Sequence, residues 1–247
     1  MTLSERSLTS PAFGDLRPAA LEALSSRARE IEFRPGERIA ALIRPPRRLL
    51  VILSGVAKLA VATIDGQERI VYVFRPGDVV GSRVLLDESP EGAYEIVAMT
   101  RVEALAIEIA DFHAISRDHP DVLIAVTRAF SRRLEKLTDR LMAAMSEEVS
   151  VRLCRLLLDF VDDDHNGTED FVHLSHPLTH ETMAHIVGAS RPHTSSVLAE
   201  LEELGVVERR RRDLLVWPSR LAAVVRHERE FERHGDDGTH RLGQRVT

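Results

Sequence analysis

The sequence holds one cysteine, Cys154, among 247 residues. That excludes an internal disulfide and any cluster held by the cysteines of one chain, and it points toward a reducing compartment. Basic residues are in deficit: 33 Lys and Arg against 39 Asp and Glu leave a net charge of −6. No chain-wide positive field therefore advertises a polyanionic partner, and any nucleic-acid contact must come from a local patch. Long apolar runs are missing too. The start, "MTLSERSLTSPAFGDL", lacks the apolar centre of a signal peptide. Nothing reaches the roughly 18 apolar residues that a membrane span requires. The expectation is a soluble cytoplasmic protein with no membrane partner.

Catalytic signatures are absent as well. There is no Gly-rich phosphate loop, no G-x-S-x-G elbow and no Cys/His pair with a base. "HETMAH" at His180–His185 comes near the zincin H-E-x-x-H helix but has one residue too many. Ligands four apart lie about 40° apart around a helix, whereas ligands five apart lie about 140° apart. His180 and His185 cannot both face one zinc from a regular helix, so the enzyme reading fails on geometry. His173 and His176 stay open as a structural metal pair. Nothing in the pattern calls for a cofactor.

What is present is enough for a core. A chain 44% hydrophobic at this length favours two domains over one. Residues from about Phe33 to Ile109 read as strands, with Leu49–Ser54, Ala57–Thr63 and Glu68–Phe74 rich in Val, Ile and Leu. Asp65-Gly66 between the last two marks a tight turn. "FRPGERI" at Phe33–Ile39 is echoed by "FRPGDVV" at Phe74–Val80, and each Pro-Gly favours a type II turn. Short strands with such turns predict an antiparallel roll.

The period then changes. Leu123, Thr127, Phe130, Leu134, Leu137, Leu141 and Ala144 fall at steps of 4, 3, 4, 3, 4 and 3, a heptad seam. Such a seam flanked by Arg and Glu predicts a helix paired with a second copy; a helix packed on its own domain is the alternative. A second helix over Glu147–Val161 leads to an acidic loop, "DDDHNGTED", and then to Phe171–Leu174, a candidate short strand. Cys154 lies on that helix among leucines and reads as a packed residue.

Thr179 can cap a helix over His180–Val187, and Gly188 can end it in the left-handed conformation. Ser190 can cap the next helix, with Pro192 tolerated in its first turn. Ala184 leaves room for a close crossing, and Met183, Val187, Val197, Leu198 and Leu201 supply a shared core. Two apolar runs, Val206-Val207 and Leu214–Trp217, flank "ERRRRD", a hairpin whose tip carries Arg209, Arg210, Arg211 and Arg212. Helix, turn, helix and basic wing suit double-stranded DNA: the second helix fits the major groove and wing arginines neutralise phosphate. Arg191 is the candidate base reader, since a guanidinium grips guanine O6 and N7 together. His193, Thr194 and Ser196 are candidates for other edges or phosphates, Ser190 for phosphate, and Thr179 and His180 are further candidate DNA contacts. An ordinary helical hairpin with a solvated loop, or a protein-binding winged module, is the competing reading.

These segments together resemble the cyclic-AMP receptor/FNR (Crp/Fnr) family of bacterial transcription regulators. The resemblance runs from about Phe13 to Arg220 and rests on "FRPGDVVG", "HPDVLIAVTRAFSRRLEKLTDRL" and "THETMAHIVGASRPHTSSVLAELEELGVV". It implies an α+β chain: an N-terminal antiparallel β-roll of the cyclic-nucleotide-binding type, a long dimerisation helix and a C-terminal winged helix-turn-helix. The expected divisions are 1–117 for the roll with its N-terminal helix, 118–146 for the dimer helix, 147–227 for the DNA-binding domain and 228–247 for a polar tail. It further implies a homodimer on a pseudo-palindromic operator, with an effector in the roll; RNA polymerase is a further candidate partner.

The sensor departs from the family pattern. Cyclic-nucleotide-binding members carry Gly-Glu for the ribose and Arg-Ser/Thr for the phosphate. Here the cassette is "GDVVGSRVLLDESPEGAYEIVA", with Gly81 matching, Ser82 in the glutamate slot and Gly92-Ala93 in the arginine-serine slot. On the dimer helix Leu137 replaces one adenine-contacting polar residue, and Thr138 remains. Without the phosphate arginine a charge-assisted pair is lost. The expectation is that cyclic AMP is not bound in the usual way. A non-standard pocket built on Gly81, Ser82, Arg83, Tyr94 and Thr138, taking a cyclic nucleotide or cyclic di-GMP, is the alternative. Haem ligation by His113 or His119 has no positive support. "RPPRR" at Arg44–Arg48 reads as a solvated loop, with anion binding as its alternative.

Overall fold

The computed structural model describes residues 13–41, 48–63, 68–81, 94–161, 171–174, 178–210 and 213–234. The chain divides into two compact units, 1–142 and 143–247.

The first unit opens with helix α1 (Pro18–Arg27) and continues through eight strands: β1 (Arg29–Phe33), β2 (Arg38–Ala41), β3 (Arg48–Ser54), β4 (Ala57–Ala62), β5 (Glu68–Phe74), β6 (Val79–Val80), β7 (Tyr94–Ala98) and β8 (Val102–Glu108). They form two four-stranded antiparallel sheets, ordered β1-β8-β3-β6 and β2-β7-β4-β5. Helix α2 (Ile109–Asp118) and the long α3 (Pro120–Ser146) follow.

Strand β3 explains why this stretch reads as an unbroken apolar run. Side chains alternate across a sheet. Leu50 and Ile52 point into the core between the two sheets, where Tyr72, Phe74 and Ile96 meet them. Leu49 and Val51 point the other way, against Leu21 and Leu24 of α1, Phe112 of α2 and Val122, Ala125, Val126 and Ala129 of α3. Both faces are buried, and each fully buried Leu or Ile contributes about 1.5–3 kcal/mol. Strand β5 is wet only over its first half: Arg69 and Val71 are exposed, while Ile70 and the run Tyr72, Val73 and Phe74 are buried.

The repeated Pro-Gly motif builds the same turn twice. Glu37 N–H donates to the Arg34 carbonyl and Asp78 N–H to that of Arg75, each at 2.9 Å, with Gly36 and Gly77 at positive φ. The acid closing each turn also accepts from the arginine amide opening it. One turn then docks on the Ala98 backbone and the other on that of Ile52. The echo therefore marks two equivalent corners of one roll.

After the end of α3, the second unit continues with α4 (Val149–Asp159), two residues inside each end of the predicted helix; at its start Glu148 takes extended backbone as the flanking residue. Strand β9 (Val172–Leu174), helix α5 (His180–Val187), helix α6 (Arg191–Glu203), strands β10 (Val207–Arg210) and β11 (Asp213–Val216), and helix α7 (Pro218–His234) complete it. The three strands pair antiparallel in the order β10-β11-β9. Cys154 is fully buried in α4. Helix α7 runs on to His234, seven residues past the point where the sequence suggests a polar tail; its Glu and Arg are good helix formers. The Asp65-Gly66 turn, the acidic loop, His176 and residues 235–247 lie outside the described residues.

Candidate nucleic-acid interface

Local capping chemistry sets the two helices that matter. Thr179 Oγ1 accepts from Thr182 N–H at 3.0 Å and opens α5. Gly188 ends it at φ +70, and Ala189 N–H returns to the Ala184 carbonyl at 3.0 Å. From α4, Arg152 donates to the Val187 carbonyl at 2.6 Å, satisfying another exposed end group. Ser190 Oγ then accepts from His193 N–H at 3.3 Å and starts α6. Met183, Ala184, Val187, Val197, Leu198 and Leu201 are all buried where the helices meet.

This packing leaves Arg191, Pro192, His193, Ser196 and Glu200 on the open side of α6. The side chain of Arg191, at the first position of the helix, makes no hydrogen bond or ion pair with another described residue. Ser196 donates to Glu200 at 3.4 Å. His180 Nδ1 lies 2.8 Å from Ser195 Oγ, tying the start of α5 to α6. Burial first, then the charges of Arg209 and Arg191, hold His180 below its ordinary pKa.

Two sequence-predicted contacts, Thr194 and Arg209, are placed differently from the expectation. Thr194 is fully buried. It falls three, four and seven residues before Val197, Leu198 and Leu201, on the apolar face of α6, so it packs in the shared core and not on the open side of the helix. Arg209 is held by Glu202, whose carboxylate accepts from the Arg209 backbone N–H at 3.1 Å, Nε at 2.8 Å and Nη2 at 2.6 Å. Arg210 donates Nε to Glu208 at 2.8 Å. That contact is single and exposed, a class worth about 0.2–1 kcal/mol, so it yields readily. Arg211 and Arg212 lie outside the described residues. Glu202 was missed by sequence reasoning; its position seven residues before Arg209, across the turn into the wing, was the available signal.

Helix α3 presents two faces. Val122, Ala125, Val126 and Ala129 are buried against the roll. The opposite face leaves Leu123 at 47%, Ile124 at 51%, Leu134 at 65%, Leu141 at 61%, Met142 at 58% and Met145 at 76% exposure, with Thr127 also exposed. Phe130 and Leu137 lie on the flank, half-buried against the unit's own two cores, which shifts the centre of the predicted seam away from them. Ile124, Met142 and Met145 extend the outward stripe and were not anticipated.

Arg133 and Arg140 turn toward the roll. The Arg133 guanidinium sits 5.7 Å from the Tyr72 ring centroid, 5.3 Å from Phe74 and 5.2 Å from Phe130, while Arg140 lies 5.8 Å from Tyr72. Tyr72 is buried and donates to Asp78 at 3.1 Å, and desolvation ahead of the Asp78 charge raises its pKa. Tyr94 packs at the edge of the same core. Gly81 sits close enough to β3 that a Cβ would approach the Arg48 carbonyl to 2.8 Å. Thr138 does not join them: it is exposed and donates to the Leu134 carbonyl at 2.9 Å, placing it on the outward stripe of α3. Ser82, Arg83 and Gly92-Ala93 lie outside the described residues, as do residues 44–47 of the "RPPRR" run.

Residues 30–119 match the cyclic nucleotide-binding domain family, and residues 151–224 match the Crp-like helix-turn-helix domain family. The chain belongs to the Crp/Fnr family of transcription regulators. A Crp/Fnr relative, the CRP-like cAMP-activated global transcriptional regulator of Mycobacterium tuberculosis, is 26% identical over 215 residues, covering 87% of this chain and 96% of that protein. The global nitrogen regulator of a Synechocystis strain is 25% identical over 190 residues, covering 76% and 80%. Among solved structures, the c-di-GMP responsive global regulator CLP of Xanthomonas campestris superposes with a TM-score of 0.67 at 20% identity, covering 81% of this chain and 99% of that one. FixK2 from Bradyrhizobium japonicum gives 0.66 at 17%, covering 79% and 96%. At these identities the structures speak for the fold alone. The Crp/Fnr helix-turn-helix makes this chain a DNA-binding regulator by class, in a family that is typically dimeric and not enzymatic. No helix among the described residues is long and apolar enough to cross a membrane.

Proposed function

We propose that this chain is a sequence-specific cytoplasmic regulator that binds a pseudo-palindromic operator as a homodimer. Residues 1–117 form the effector-type unit, 118–146 the dimerisation segment and 147–227 the DNA-reading domain. Arg191 is the base reader of each half-site, gripping guanine O6 and N7 in the major groove. His193 and Ser196 lie on the same open side for neighbouring edges or phosphates. Thr179, His180 and Ser190 sit at the helix starts, where backbone N–H groups favour phosphate. Arg210, Arg211 and Arg212 anchor the wing.

The observation that carries this reading is the Arg191 guanidinium, exposed at the first turn of a capped α6 and engaged by no described residue. Selection from random duplex oligonucleotides tests it. An enriched inverted repeat with half-site centres one or more helical turns apart, about 10–10.5 base pairs each, is the expected result. No enrichment, or an asymmetric site bound by monomers, refutes it.

The roll is proposed not to take cyclic AMP in the usual mode. Three features support this: the serine in the glutamate slot, the Gly-Ala pair in the arginine-serine slot, and Arg133 stacked where α3 meets the aromatic core. The second reading, a cyclic nucleotide or cyclic di-GMP taken in another mode, is favoured by the match over 30–119 and by the signals named for the two relatives above. Calorimetry with cyclic AMP, cyclic GMP and cyclic di-GMP separates the two. RNA polymerase and a small-molecule effector remain proposed partners.

A further inference from the structure

Glu202 lies in the last turn of α6. An anion there opposes the negative end of the helix dipole. A carboxylate in that place needs cationic compensation, and Arg209 supplies it from β10. Three hydrogen bonds, of 3.1, 2.8 and 2.6 Å, join the two residues, one from backbone and two from the guanidinium. Charge-assisted multidentate contacts of this kind are the strong ones, and they fix direction as well as distance. The neighbouring Arg210–Glu208 pair differs in having one contact, between residues two apart on the same strand; both arginines are exposed, Arg210 at 61% and Arg209 at 47%.

We infer that Glu202 is a positioning residue, which locks the wing to the recognition helix and withholds the Arg209 cation from the DNA backbone. The inference rests on the proposed DNA reading and deepens it. Phosphate contacts strengthen binding to every sequence alike. A free cation beside the reading helix therefore raises affinity for operator and random DNA alike and leaves the ratio between them unchanged. Clamped by Glu202, Arg209 adds rigidity between α6 and the wing and no sequence-independent attraction. Arg210 is left as the wing cation that a phosphate can capture.

The test measures how log affinity falls with log salt, on the selected operator and on random duplex, for the full-length protein. Each phosphate neutralised contributes about −0.9 to the slope, so one residue gained or lost in each of two protomers changes it by about 1.8. Glu202→Gln keeps shape, frees the guanidinium, and is expected to steepen the slope by up to that amount on both duplexes, with the operator-to-random ratio unchanged. Arg209→Ala is expected to leave the slope at the wild-type value, and combining the two returns it there. Arg210→Ala is expected to flatten it by about 1.8. A flattening by Arg209→Ala equal to that of Arg210→Ala, or no change in Glu202→Gln, overturns the inference.

A readout without DNA accompanies it. The Arg209 Nε–H exchanges slowly in the wild-type protein by NMR and as fast as that of Arg191 in Glu202→Gln; equal rates in the wild type overturn the clamp. If the wild-type protein selects no operator while Arg209 is protected, the DNA reading fails and the clamp stands.

Discussion

The outward stripe of α3 invites a direct perturbation, Leu134→Asp together with Leu141→Asp. The two leucines are 65% and 61% exposed in the single chain, so neither is a main support of the roll. Full burial of a leucine contributes about 1.5–3 kcal/mol, and covering the exposed portion contributes roughly 1–2 kcal/mol each. A symmetric dimer covers each twice, so the pair accounts for roughly 4–8 kcal/mol of association. At 1.4 kcal/mol per factor of ten, even the lower figure weakens dimerisation by about a thousandfold. Four carboxylates forced into an apolar seam add to the loss. Sedimentation equilibrium on the double variant is expected to find a monomer, with circular dichroism showing it folded. Val126→Asp is the contrasting control: Val126 is 2% exposed and packed on the roll, so its replacement unfolds the first unit. A folded double variant with wild-type dimer affinity would show that the seam lies elsewhere.

Other residues make separate tests. Arg191→Ala is expected to cost about 1–3 kcal/mol on the best operator and to relax discrimination at one base pair per half-site, measured by competition titration against single-substitution sites. Thr194→Val removes a hydroxyl that is buried without a hydrogen-bond partner among the described residues, and is expected to raise stability by about 1 kcal/mol while leaving operator affinity unchanged; a tenfold loss of affinity would restore Thr194 to the DNA face. Gly188→Ala places a side chain at φ +70 with only Arg152 Nη1 nearby, at 3.7 Å, so strain alone sets a loss of about 1–2 kcal/mol in denaturant unfolding. Hydrogen bonds from Arg17 hold the Asp121 carboxyl down to about 2 from 3.8. Because the folded value is the depressed one, this contact stabilises fully above pH 3.8 and is lost as pH falls toward 2. In an NMR titration Arg17→Ala is expected to move the Asp121 midpoint upward but not all the way to the ordinary carboxylate value, because the backbone N–H groups of residues 17 and 121 still hold the carboxyl; the same midpoint in both proteins would refute the side-chain pairing.

The helix-turn-helix was legible residue by residue because its signals are local. Thr179, Gly188 and Ser190 act on backbone groups within four positions of themselves, so their spacing alone places both helices. The strands were legible for a similar reason, since β-branched runs and Pro-Gly turns are short-range. What stayed hidden depends on which way a helix is rotated, or on a partner far along the chain. The heptad steps along α3 mixed outward Leu134 with flanking Leu137, since small residues, Ala125 and Ala129, do much of the packing on the roll. Nothing in the sequence singles out Arg133, yet it lies over three aromatic rings, two of which come from a strand some sixty residues earlier. In the wing, composition announced cations but not that Glu202 already holds one of them.

The claim that Arg191 reads a guanine twice per dimer is tested most directly by methylation interference on the selected operator, where dimethyl sulfate blocks guanine N7. One guanine in each half-site, symmetrically placed, is expected to abolish wild-type binding when methylated and to lose that effect with the Arg191→Ala protein. Interference that persists in the variant, or that falls in one half-site alone, contradicts it.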